Sequence, residues 1–138
     1  MNSIEKIQKE IIEEFNMFDD WQDKYEYLID LGKEMDSLPK KHKNDLNIIE
    51  GCQSNVWIIA KNNNNKIKFL ADSDAIITKG IISLLLRVFS GQSALDILNA
   101  NYNFIEKIGL KKHLSINRAN GLESMIKKIK EYALIFNK

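Results

Sequence analysis

The chain carries one cysteine, Cys52, and two histidines, His42 and His113, and these three side chains bound most of the chemistry open to it. One cysteine cannot close an internal disulfide, and alone it cannot hold zinc or an iron–sulfur cluster, each of which needs several thiolate or imidazole ligands. A solitary thiol is either a small buried hydrophobe or a nucleophile. Its neighbours favour the second reading. Cys52 stands in Glu50-Gly51-Cys52-Gln53-Ser54-Asn55-Val56-Trp57, where Gly51 permits a tight bend and Gln53, Ser54 and Asn55 form a polar loop, a poor place for an inert core thiol. No Lys or His adjoins it, so nothing local lowers its pKa; an unperturbed thiol, near pKa ~8.5, is only a few per cent thiolate at neutral pH.

His113 lies in Leu110-Lys111-Lys112-His113-Leu114-Ser115 and His42 in the lysine-rich turn 40–43. Either could serve as the base of a Cys–His couple, because nucleophile and base need only meet in space; the sequence neither supports nor excludes a hydrolase on this ground. There is no P-loop, no glycine-rich dinucleotide fingerprint and no His-rich metal motif. No cofactor or metal is therefore expected on this chain, which reads as a carrier or adaptor more than as a self-contained enzyme.

The elements that must position the thiol follow from periodicity. Ile4, Ile7, Ile11, Phe15 and Phe18 recur at steps of three and four with glutamates between them, an amphipathic helix. Asp19 or Asp20 can cap a second helix with Trp21, Tyr25, Leu28 and Ile29 on one face, decaying between Gly32 and Pro39. After the basic turn, Val56 to Ala60 and Lys66 to Ala71 read as two strands joined by an asparagine turn over 62–65, and Leu46 to Ile49 as a short strand before them. Asp72-Ser73-Asp74 offers cap candidates for a nearly all-apolar helix running to Phe89, with Gly91 as its stop. Short helices at Ser93–Leu98 and Phe104–Ile108 lead to a last helix capped by Ser115, with Leu122, Met125, Ile126, Ile129 and Ala133 on one face. The expected fold is α+β: a small antiparallel sheet of about three strands against an apolar central helix, with an N-terminal helical hairpin and C-terminal helices.

With 138 residues, 44% of them hydrophobic and only one proline, the chain should bury one core, and 1–138 is expected to be a single domain. The formal charge of +1 gives no reason to expect nucleic acid as a partner. The balance is uneven: residues 1–50 hold 7 basic and 13 acidic side chains, residues 51–138 hold 13 and 6, a polarity that suits a protein partner. The apolar run Ile81 to Phe89 is broken by Ser83 and Arg87 and falls short of a membrane span, and Met1 to Glu14 lacks the apolar centre of a secretory signal, so the expected setting is a reducing cytoplasm with no membrane contact.

The whole pattern resembles the SufE family of sulfur-acceptor proteins of iron–sulfur cluster assembly. Gly51-Cys52-Gln53-Ser54-Asn55-Val56-Trp57 matches the family's G-C-Q-S-x-V-W; Asp72-Ser73-Asp74-Ala75 with Lys79-Gly80 is like its S-D-A and V-K-G; Gly109-Leu110, His113-Leu114-Ser115, Arg118 and Asn120-Gly121-Leu122 follow its G-L, H-L-S-P-S-R and N-G-L. Trp21, Lys24, Tyr25 and Leu31-Gly32 fall at its W-x-x-K-Y and L-G. Ile116-Asn117 replaces the usual Pro-Ser, and Glu50 places a negative charge beside the thiol, which disfavours its ionised form. The resemblance does not separate SufE from its relative CsdE.

The resemblance implies sulfur relay. A pyridoxal-phosphate cysteine desulfurase would leave a persulfide on its own cysteine; Cys52 would accept the terminal sulfur, stimulate the desulfurase by clearing it, and deliver the sulfur to an iron–sulfur scaffold. Gly51, Gln53, Ser54 and Asp74 would shape the loop, with His113 and Arg118 helping to form the surface around it. Two other readings stay open: a thiol redox sensor, and an interaction module whose cysteine is incidental.

Overall fold

The computed structural model describes residues 2–137; Met1 and Lys138, the two ends of the expected 1–138 domain, lie outside the described residues. The first two helices form the expected hairpin. Helix α1, Ser3–Phe15, starts where the Asn2 side chain accepts a hydrogen bond from Glu5 N, and it buries Ile4, Gln8, Ile11 and Phe15 at helical spacing. Helix α2, Trp21–Glu34, is capped by Asp20, whose carboxylate accepts from Asp23 N at 2.9 Å; Asp19 is not the cap.

Strands β1, Val56–Asn63, and β2, Lys66–Ser73, pair antiparallel from Val56↔Ser73 to Asn63↔Lys66. Asn64 and Asn65 take φ of 53° and 65°, the left-handed pair that matches hairpin twist and that asparagine tolerates well. The sheet has two strands, not about three. The segment expected to add a third touches β1 through one bridge, Ile48↔Trp57, with Ile49 N donating to Val56 O and Ile58 N to Asn47 O. It goes no further because the Asn44 carboxamide oxygen accepts from Leu46 N and Asn47 N on one side, curling the chain, while Gly51 bends it away on the other.

Helix α3, Ile76–Phe89, lies at the centre, packed on α2 across one side and on β2 and the last helix across others. It meets α2 at Gly32 and Gly80, where a Cβ added to Gly32 would come within 2.7 Å of the Gly80 backbone nitrogen. The two helix backbones approach so closely that any side chain there would part them. None of Asp72, Ser73 and Asp74 is the N-cap of α3; that position is Ala75, which makes no side-chain bond, while Ser73 Oγ accepts from Ala75 N and the two aspartates bond other segments. Helices α4, Ala94–Asn99, and α5, Asn103–Lys107, follow, then a 3-10 turn at Lys111–His113 and α6, Ile116–Phe136, capped as expected by Ser115 through Arg118 N. Ile58, Phe69, Ile82, Leu85, Phe104 and Ile129, drawn from strands and helices alike, are among the side chains that form the shared core. The class is α+β, as the sequence predicts.

Candidate functional site

The loop 50–55 carries Cys52 between the Ile48 bridge and β1. Gly51 takes φ +90°, a region that side-chain-bearing residues avoid, and a Cβ there would also strike the Ser124 hydroxyl on α6. That bend turns the thiol inward onto α6, where Cys52 Sγ lies 3.6 Å from the carbonyl oxygen of Gly121. Cys52 is thus half-buried rather than displayed at a polar tip. It rests in a niche of about 10 Å³ walled by Ser54, Thr78, Ile81, Gly121 and Met125, with Gln53, Asn117 and Arg118 around it. Such a space holds at most one water.

Burial pushes the Cys52 thiol above its ordinary value, because removing a thiolate from water disfavours the charged form. The expected influence of Glu50 does not enter: its side chain is exposed, and desolvation alone accounts for the direction of the shift. At rest the site therefore stores a protonated thiol.

Two joints hold the loop, one to α3 and one to the residues just before it. Ser54 Oγ lies 3.1 Å from Thr78 Oγ1, a contact on the floor of the niche. Asp74, expected to cap the helix, instead grips the loop: its carboxylate accepts from Asn55 N at 3.1 Å and from Asn55 Nδ2 at 2.9 Å. Asp74 N returns a bond to Asn55 O, and Ser73 Oγ donates to the same carbonyl. Two residues earlier, Asp72 is buried, accepts from Leu38 N and Ser73 N, and pairs with Lys43 at 3.1 Å and Lys79 at 3.4 Å. Burial alone would raise its pKa, but the bonds from Ser73, Lys43 and Leu38 and the charge of Lys79 prevail and hold it below the ordinary carboxylate value.

Of the residues singled out in the sequence, Gly51, Gln53, Ser54, Asp74 and Arg118 come together with Cys52. His113 does not line the niche. Its ring stacks on Trp21 with centroids 4.1 Å apart, Nδ1 lies 2.8 Å from Gly109 O, and its carbonyl accepts from the Tyr25 hydroxyl. His42 does not line it either, so neither imidazole forms a couple with the thiol. Sequence reasoning missed Thr78, Asn55, Ile81, Gly121 and Met125 as parts of this site. Thr78 left a signal: a hydroxyl three residues before Ile81 on the buried side of an apolar helix. Among the described residues no group of three His, Cys, Asp or Glu side chains is placed to hold a metal ion, and no helix is long and apolar enough to cross a membrane.

Residues 9–133 match the family model described as SufE, Fe-S metabolism associated domain. An uncharacterized SufE-like protein of Rhizobium meliloti is 38% identical over 129 residues, covering 90% of this chain and 92% of that protein. A second, from Rhizobium etli, is 37% identical over 131 residues, covering 91% and 88%. The solution structure of a hypothetical protein from Thermus thermophilus superposes with a TM-score of 0.77 at 18% identity, over 94% of this chain and 95% of that one, a likeness of fold. A family match over most of the chain and relatives close along nearly its full length lead to one conclusion: the chain belongs to the SufE family, and its role lies in Fe-S metabolism.

Proposed function

We propose that the protein is a sulfur acceptor and carrier that takes persulfide sulfur from a cysteine desulfurase onto Cys52. The observation that supports this most is a lone thiol, half-buried in a short loop, in a niche that Ile81 and Met125 help to wall and with the exposed cation Arg118 beside it. In the transfer, the Cys52 thiolate attacks the terminal sulfur of the partner's persulfide. A new S–S bond forms on Cys52, the S–S bond to the partner breaks, and the partner's cysteine leaves as a thiolate, so no outside oxidant or reductant enters. Clearing that persulfide stimulates the desulfurase, and the carried sulfur passes on to an iron–sulfur scaffold. This chain binds no cofactor of its own in the scheme; pyridoxal phosphate belongs to the desulfurase, of the SufS or CsdA kind. The setting is the cytoplasm, with neither nucleic acid nor membrane as a partner.

The resting geometry suits storage. A half-buried thiol in a niche of about 10 Å³ is less open to oxidants and small thiols than one on a free loop, and outward movement of the loop would present it to a partner. Gln53 and Ser54 shape that loop, while Arg118 at the mouth and the exposed His113 ring contribute to the partner-facing surface.

The decisive experiment incubates the protein with a desulfurase and L-cysteine and reads intact mass. One added sulfur atom on the wild type, and none on Cys52→Ser with its fold retained, supports relay; a hydroxyl keeps the loop but is a far weaker nucleophile toward sulfur. Added oxygen or glutathione in place of sulfur identifies a redox sensor. An unmodified protein that still binds identifies an interaction module. A serine variant that stimulated the desulfurase as well as the wild type would overturn the proposal.

A further inference from the structure

Thr78 is one of the few polar side chains in the core, 4% exposed on a helix whose buried positions are otherwise apolar or glycine. Among the described residues its hydroxyl has one partner, Ser54 Oγ at 3.1 Å, two residues along the loop from Cys52. It also forms part of the wall of the thiol's niche, beside Ile81 and Met125, each 1% exposed. A hydroxyl so buried is costly to leave unpaired, because it has little access to water in place of the lost partner.

We propose that Thr78 is a positioning residue for the Cys52 thiol: its buried hydroxyl holds Ser54 down and so sets how often the loop releases the thiol. The idea rests on the reading of Cys52 as the sulfur acceptor only for its purpose; the positioning itself concerns any electrophile that needs the thiol. The argument is one of contrast within the loop. The Asn55–Asp74 bonds at the other joint face solvent, where water substitutes for either partner as the loop lifts. The Ser54–Thr78 bond is at the part-buried joint, so lifting the loop strands the Thr78 hydroxyl until water follows it in. The buried joint therefore dominates the closed state, although it is a single neutral bond against the four that hold Asn55, two of them to a carboxylate.

The test measures the rate at which iodoacetamide alkylates Cys52 in the folded full chain, a readout that needs no desulfurase. Thr78→Val removes the hydroxyl at nearly the same shape and should speed alkylation roughly 2- to 10-fold, the range of one net hydrogen bond. Thr78→Ser restores a hydroxyl and should return the rate to within about twofold of wild type, a rescue that a role in core packing alone does not give. Ser54→Ala, a change in the loop itself, should speed alkylation similarly, and the Thr78→Val, Ser54→Ala pair should act no more strongly than either single change. A Thr78→Val protein that alkylates at the wild-type rate, a serine variant as fast as the valine one, or additive single effects would each overturn the proposal. Should Thr78→Val fail to fold, Ser54→Ala decides alone: no acceleration refutes the joint. A second arm loads wild type and Thr78→Val with sulfur from a desulfurase. If neither accepts sulfur while the alkylation rates still differ as expected, the relay reading fails and the positioning role of Thr78 stands.

Discussion

Asp72 and Asp74 stand two residues apart at the end of β2, and they do opposite work. Asp72 is 3% exposed and satisfied from four directions, by the Leu38 and Ser73 amides and the Lys43 and Lys79 ammonium groups, so it welds the segment after α2 to the sheet and to α3. Asp74 lies in solvent and holds only Asn55, at the end of the Cys52 loop. The residue type is the same; burial differs. A carboxylate withdrawn from water and fully partnered is a permanent joint, because breaking it strands charges and amides. One left in water is a releasable joint, because solvent takes over each bond as it opens. A loop that must let its thiol out cannot be held by a joint of the first kind, a buried charge with four partners.

The comparison breaks most readily at Asp72. Asp72→Ala should cost about 3 kcal/mol in urea unfolding, since it orphans the buried Leu38 amide and leaves Lys43 and Lys79 without their counter-charge. If it costs no more than Asp74→Ala, the distinction between the two joints is wrong. Acid should show the same difference. The Asp72 pKa is depressed in the folded state, so its contribution is complete above the ordinary carboxylate value of ~4 and is lost as pH falls through the lower folded value. The stability gap between wild type and Asp72→Asn should therefore be constant near neutrality and close below about pH 4.

Asp74 should show the reverse balance. Asp74→Ala should change unfolding stability by less than about 1 kcal/mol, yet speed alkylation of Cys52 about twofold, the low end of what one hydrogen bond contributes. Equal alkylation rates in wild type and variant would remove Asp74 from the control of the loop. The smallest effect concerns proton release. Because burial holds the Cys52 pKa up, the alkylation rate of the wild type should rise with pH to a midpoint above the ordinary thiol value of ~8.5, and Asp74→Ala, by exposing the thiol more often, should bring that midpoint down toward it. A wild-type midpoint at or below the ordinary value would show that the thiol is not stored in the niche.

Much of the scaffold is legible in local sequence. The period of three and four gives α1 and α6, the caps Asp20 and Ser115 start their helices, and the asparagine turn closes the hairpin. The third strand is overcalled for a physical reason: Leu46 to Ile49 has strand-like residues, but Asn44 and Gly51 curl the chain at both ends so that one bridge is all that forms. The cap at Asp74 is overcalled because an aspartate before a helix has more than one available donor, and Asn55 reaches it first.

By itself the sequence determined that the protein has one thiol, that a glycine bend precedes it and that apolar helices and a hairpin surround it, because composition, periodicity and capping act within a few neighbouring residues. Only the tertiary structure decided that the thiol turns inward, that Gly121 and Met125 from α6 and Thr78 and Ile81 from α3 build its niche, and that His113 stands apart against Trp21. Those residues are far apart along the chain, and their meeting depends on how α3 and α6 pack against the loop. Packing is likewise what separates Asp72 from Asp74, since burial is a property of the folded whole and no residue type carries it alone.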